Sequence, residues 1–142
     1  MSAEEKHLHT LTAPNLPDAY SRAIDGLSIG PSVGSCGTAA FLRQPVIVED
    51  IASDPLWADF RTLALLHGLR ACWSTPIFDG TGAVLGTFAV YAAVPSRPSA
   101  QDEQLITLAT DVAALAITKH RPVLLVGKRT SLMDEAVGLL TL

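Results

Sequence analysis

The segment from Leu69 to Val94 constrains the fold of this chain more than any other. "LRACWSTPIF" reads as a strand, "DGTG" as a tight turn, and "AVLGTFAVYAAV" as the partner strand. Two such runs joined through Asp-Gly make an antiparallel hairpin, and their apolar character makes it a buried one. Burying a hairpin needs a core. With 142 residues, 49% apolar and 17% charged, the chain suits one domain with a substantial core and not a disordered segment.

The remaining elements fall around that hairpin. "HLHTLTA" (His7 to Ala13) alternates loosely and reads as a strand. "LPDAYSRAIDGL" has Pro17 at its start, Gly26 at its stop, and Ala19, Ala23 and Ile24 on one side, so it reads as a helix. A glycine-rich loop leads into a short helix, "CGTAAFLRQ", and "VIVED" after Pro45 reads as a strand. "SDPLWADFRTLALLHG" predicts a helix with Leu56, Phe60, Leu63 and His67 near one face and Gly68 closing it. After "PSRP", Ser99 caps a helix with Asp102 three residues on. Its expected apolar stripe is Leu105, Leu108, Val112, Leu115 and Ala116, ending near Lys119.

Charge and cysteine usage narrow the function. A net charge of −4 argues against a nucleic-acid surface, with a basic cluster only around Lys119, His120, Arg121, Lys128 and Arg129. Two cysteines, Cys36 and Cys72, are too few for a disulfide scaffold and fit a reducing, cytoplasmic setting. "MSAEEKHLHTL" is acidic and polar and does not read as a secretory signal, and no apolar run is long enough to span a membrane.

The stretch "SVGSCGTAAF" (Ser32 to Phe41) holds the chemistry to be weighed. Gly30, Gly34 and Gly37 are spaced too widely for a dinucleotide loop, and "VGKRTS" lacks the first glycine of a Walker loop and the hydroxyl residue after its lysine. Cys36 near a helix start has part of what a nucleophilic thiol needs, but reads first as a small buried residue; Cys72 reads as inert packing. His67, between apolar neighbours, is a core or capping residue with haem ligation as the alternative. No Cys/His spacing suits zinc, so no metal residues are assigned. Glu49, Asp50, Asp54 and Asp59 read as loop charges.

Four motifs in order, "GSCGTAA", "PVIVEDIASDPLW", "GLRACWSTPI" and "VLGTFAVY", resemble those of a bacterial GAF domain of sensor kinases, cyclases and transcription regulators. The likeness runs over residues 8 to 120. It implies an α+β fold: a central antiparallel sheet with helices on one face and a ligand pocket under loops and short helices on the other. It also makes "SVGSCGTAAF" the crossing loop beside that pocket. An enzyme of this fold, free methionine-R-sulfoxide reductase, resembles the chain at "CGTAA", but its catalytic cysteine belongs in an interval, Asp50 to Ala71, that here contains none. The cysteine–histidine pair of bilin-binding relatives is also missing.

The resemblance therefore implies a non-catalytic, cytoplasmic sensory or regulatory module. It binds an unidentified small molecule or serves as a homodimerisation platform, and it serves an output domain or partner protein. Neither nucleic acid nor membrane insertion is expected, and no cofactor is named. A thiol-dependent enzyme and a haem sensor are the alternatives. The expected pocket residues are Trp57, Phe60, His67, Trp73, Thr75, Thr87 and Tyr91, with Cys36 and Thr38 at the rim. Trp57 is expected on a lid and Trp73 within the hairpin core. Against the family pattern, residues 1–121 lack the opening helix and strand, and 122–142 read as a separate tail. Val123 to Val126 is the expected strand filling the missing place, with residues 131–141, capped by Ser131, as a helix.

Overall fold

The computed structural model describes residues 6–13, 15–119 and 136–142. In chain order they form β1 (His7–Thr12), α1 (Asp18–Ile24), β2 (Leu27–Ser28), α2 (Cys36–Leu42) and β3 (Val46–Val48). A 3-10 turn (Pro55–Trp57), α3 (Arg61–Leu66), β4 (Ala71–Phe78), β5 (Val84–Ala92), α4 (Ala100–Thr118) and β6 (Ala136–Thr141) follow. The six strands make one sheet in the order β2-β1-β6-β5-β4-β3, every neighbouring pair antiparallel.

The hairpin is as expected. β4 and β5 pair from Ala71↔Ala92 to Phe78↔Val84. Asp79 fastens the turn, its carboxylate accepting from the Thr81 amide and hydroxyl and the Ala83 amide. Side chains alternate between the two faces of a strand, so the hairpin feeds two cores. Trp73, Ile77, Phe88 and Val90 face α4 together with Val137 and Leu139 of β6. Cys72, Ala89, Tyr91 and Leu140 face the opposite side, under α1, α2 and the 3-10 turn.

α4 starts as its sequence predicts: the Ser99 hydroxyl accepts from the Asp102 amide, and the Asp102 carboxylate accepts from the Ser99 amide. Its packed face differs from the expected stripe. Ile106, Ala113 and Ala116 are buried, while Leu108, Val112 and Leu115 are 62%, 53% and 60% exposed. Alanines let the helix lie close over Trp73 and Phe88; the larger side chains turn outward. A similar shift occurs in α1, where Tyr20 and Ile24 are buried and Ala19 and Ala23 are exposed.

Residues 53–68 are not one helix. Asp54 accepts from the Leu56 amide and begins a 3-10 turn at Pro55. Arg61 donates back to the carbonyls of Ile51 and Asp54, so the chain folds on itself before α3 restarts at Arg61.

The largest departure is at the carboxyl end. Ala136–Thr141, expected within a helix, is β6, lying between β1 and β5 and pairing with both. Two open strand edges satisfy every backbone group of a strand laid between them, and Val137 and Leu139 alternate with Gly138 and Leu140 as such a strand requires. Val123–Val126 and the Ser131 cap lie outside the described residues.

β6 approaches β5 closely at Gly86, where an added Cβ would fall 1.9 Å from the Leu140 carbonyl oxygen. Gly86→Ala is therefore expected to displace β6 and cost at least the ~1–3 kcal/mol of an overpacked core. Gly80→Ala, at a turn position with open space around it, should stay within about 0.5 kcal/mol of the parent. Urea denaturation of both variants checks this, and equal stability would show that β6 is not held against Gly86.

Candidate functional site

The sheet face opposite α4 is roofed by α1, the crossing loop, the start of α2 and the 3-10 turn. Between roof and sheet lies a cavity. Tyr20 and Ile24 come from α1, Leu27 from β2, and Val33, Gly34, Ser35 and Cys36 from the loop entering α2. Trp57 and Phe60 close it from the segment before α3, and Tyr91 forms its floor from β5. The free space is ≈ 10 Å³, about one water's worth.

Gly34 shows why the loop needs glycine. Its φ of +59° is left-handed, and the Trp57 ring lies 3.4 Å from where a Cβ would stand. The Gly34 amide donates to the Leu56 carbonyl at 2.8 Å. Next to it, the Trp57 indole N–H donates to Ser35 Oγ (3.0 Å), whose hydroxyl donates to the Cys72 carbonyl (3.0 Å). This buried relay ties the 3-10 turn, the start of α2 and β4 together.

Tyr20 and Tyr91 meet edge to face, ring centroids 5.5 Å apart, and the Tyr20 hydroxyl donates to that of Tyr91 at 3.3 Å. Burial pushes both hydroxyls well above their ordinary pKa, so both stay neutral donors and acceptors. Under Cys36 the sheet presents Cys72 and Ser74 from β4 and Thr87 from β5. The hydroxyls of Ser74 and Thr87 are fully buried and have no hydrogen-bond partner.

Of the residues expected at the pocket, the structure brings Cys36, Trp57, Phe60 and Tyr91 together around the cavity, with Thr87 just beneath on the same face of β5. Thr38 braces the loop instead, its hydroxyl donating to the Gly34 carbonyl (2.6 Å) and accepting from the Val33 amide (3.0 Å). His67 ends α3 and sets its ring edgewise on Tyr20, 5.8 Å between centroids, outside the cavity lining. Trp73 and Thr75 stand on the α4 face of β4, because a one-residue step reverses the side on which a strand side chain projects. Trp73 donates to the Ser96 carbonyl there. Trp57, expected on a loosely held lid, is as buried as Trp73 (3% against 2% exposed).

Sequence reasoning missed Tyr20, Ile24 and Ser35. The first two share one face of α1 and could have been found from their four-residue spacing. Ser35 sits in the "GSCGTAA" motif, but nothing there points to its partners, which are 22 and 37 residues away. Among the described residues, no group of three or more His, Cys, Asp or Glu side chains is placed to hold a metal, and no helix is long and apolar enough to cross a membrane.

The described residues thus form a six-stranded antiparallel sheet with one long helix on one face and a roofed cavity on the other. The chain belongs to the GAF domain family, whose profile matches residues 2–118. It is 36% identical over 117 residues to the methyl sulfide methyltransferase-associated sensor of Methanosarcina acetivorans, a match covering 82% of this chain. The chain spans only 12% of the length of that relative. Its fold resembles a domain described as part of a two-component sensor histidine kinase of Sinorhizobium meliloti 1021. The TM-score is 0.62 at 19% identity, covering 79% of this chain and 70% of that one.

Removing the relay's centre should loosen the roof. Ser35→Ala leaves the Trp57 N–H buried without a partner and is expected to cost about 1–3 kcal/mol. Trp57→Phe in the Ser35→Ala background should then add less than it does alone. A double-mutant cycle by denaturation checks the coupling, and simple additivity would show that the relay holds nothing together.

Proposed function

We propose that this chain is the non-catalytic sensory module of a cytoplasmic signalling protein, and that its cavity receives a small uncharged molecule. The observation that carries this is the character of the lining. Apolar and aromatic side chains surround a few convergent neutral groups, the hydroxyls of Tyr20, Tyr91 and Ser35 and the Cys36 thiol. Such a mixture is the usual composition of a small-molecule site. No lining residue carries a formal charge, and burying an ion there without a counter-charge would be strongly unfavourable. The free space of ≈ 10 Å³ means that anything larger than a water enters by displacing the 3-10 turn. Binding is thereby coupled to movement of the relay and of α2. The sensor relative, far longer than this chain, supports a role beside an output domain or partner protein.

A second reading, dimerisation, is favoured by α4. Leu108, Val112 and Leu115 recur at four- and three-residue spacing on its outer side and are more than half exposed. That is the seam of a helix–helix contact, and it fits a second copy of the same helix.

Native mass spectrometry of freshly purified full chain tests both readings. A retained small molecule, lost or weakened in Tyr91→Phe, is the expected result for the first. A dimer converted to monomer by Leu108→Glu with Leu115→Glu is the expected result for the second. A ligand-free chain whose melting temperature no neutral small molecule raises would count against the cavity as a sensing site.

A further inference from the structure

We propose that Cys36 and Cys72 form a peroxide-sensitive dithiol beneath the cavity, in which Cys36 is the thiol oxidised first and Cys72 resolves it into a disulfide. The chain's two cysteines lie 36 positions apart, yet the fold buries both free thiols in one core, one at the start of α2 and one in β4, where the hydroxyl of Ser35, the residue before Cys36, donates to the Cys72 carbonyl at 3.0 Å. Cys36 lines the cavity; Cys72 lies behind it, fully buried. A small molecule in the cavity therefore meets Cys36 first.

The surroundings favour oxidation at Cys36. Ser74 and Thr87 hold buried hydroxyls without partners beside its sulfur. Unpartnered buried hydroxyls are costly and uncommon, and these gain an acceptor once the Cys36 sulfur becomes a thiolate or carries an oxygen. The Cys72 thiol, opposed by burial and aided by Ser74, Thr87 and Tyr91, holds the Cys36 pKa below its ordinary value. Burial pushes that of Cys72 up. Only the thiolate attacks, so the more acidic thiol reacts.

The oxidant's class follows from the space. The lining has no basic or acidic residue and little free space, which favours a small neutral oxidant such as a hydroperoxide over a charged disulfide. The Cys36 thiolate attacks one peroxide oxygen, forming an S–O bond and breaking O–O; the departing oxygen takes a proton and leaves as water or an alcohol. Cys72 then gives its proton to the sulfenic oxygen as its sulfur attacks the Cys36 sulfenic acid. The S–S bond forms, the S–O bond breaks, and that oxygen leaves as water with the Cys72 proton. Two thiols lose two electrons in total, and the peroxide gains them. The product staples α2 to β4 under the cavity, a fixed link where the reduced protein has only packing and the Ser35 bond.

The inference rests on this cavity being the sensing site, but its test reads the thiols directly. The reduced full chain is treated with hydrogen peroxide, and its free thiols and intact mass are followed. Both thiols should disappear together, with a mass loss of two hydrogens and a cross-link joining the Cys36 and Cys72 peptides. Cys72→Ser should stop one oxygen heavier, at a sulfenic acid trappable by dimedone, and Cys36→Ser should leave Cys72 unreactive. Ser74→Ala with Thr87→Val should slow the Cys36 reaction about tenfold, the scale of one lost hydrogen bond, while the wild-type reaction decides the matter should the cysteine variants not fold. Thiols that survive peroxide at levels oxidising the unfolded chain, prior reaction of Cys72, or only interchain disulfides would overturn the proposal. A small molecule retained by the reduced chain would still support the cavity as a binding site.

Discussion

β6 is the joint on which this structure depends. Without it the sheet is two pieces: β2 and β1, with α1 attached, and the block β5-β4-β3. Each would present an open strand edge, with its amides and carbonyls unpaired. β6 satisfies both edges at once. In doing so it fixes Tyr20, carried by the first piece, against Tyr91, carried by the second. The cavity lies at that seam, so it exists only when β6 is in place. Gly86 is the local condition for this, since any side chain there would occupy the path of the β6 backbone.

The sheet then divides the labour between its faces. On one, α4 seals Trp73, Phe88 and Leu139 into a dry aromatic core. On the other, short elements carry the roof, and polar groups are gathered beneath it: Ser35, Ser74, Thr87, two tyrosines and two thiols. None of these is a carboxylate or a basic group. A buried neutral cluster avoids the large desolvation penalty of ions, yet each group without a partner remains costly. The Trp57–Ser35–Cys72 relay satisfies the Ser35 hydroxyl, and with it the Trp57 N–H and the Cys72 carbonyl; Ser74 and Thr87 are not relieved. Polar strain is thus concentrated around Cys36, at the point where the roof meets the sheet.

That arrangement couples the roof to the sheet mechanically. Trp57 covers Gly34, bonds to Ser35 and begins the segment that Arg61 folds back. A displacement of the 3-10 turn must therefore be felt at the start of α2 and along β4. The other side of β4 carries Trp73, bonded to the loop before α4. One strand links the cavity to the base of the longest described helix, whose outer apolar residues are free to meet another surface.

The sequence alone determined the elements whose cause is local. The hairpin follows from its turn and its two apolar runs, α4 from the Ser99–Asp102 capping box, and α2 from a short helix-permissive stretch ended before Pro45. The motifs also led to the right family, and with it to the antiparallel sheet. Of the pocket, Cys36, Trp57 and Tyr91 were legible because each sits in such a motif, and Phe60 from its place among the apolar residues after Pro55. What only the tertiary structure decided is which face each side chain serves. Trp73 and Tyr91 look equivalent as hairpin aromatics, but strand alternation and the register Cys72↔Tyr91 send them to opposite cores. The segment 136–141 is helical by its own pattern and a strand by its neighbours, because two open edges offer it more hydrogen bonds than local pattern can outweigh. The meeting of Cys36 with Cys72 and of Trp57 with Ser35 was likewise invisible: such contacts are set by how layers stack, and residue spacing along the chain carries no record of that.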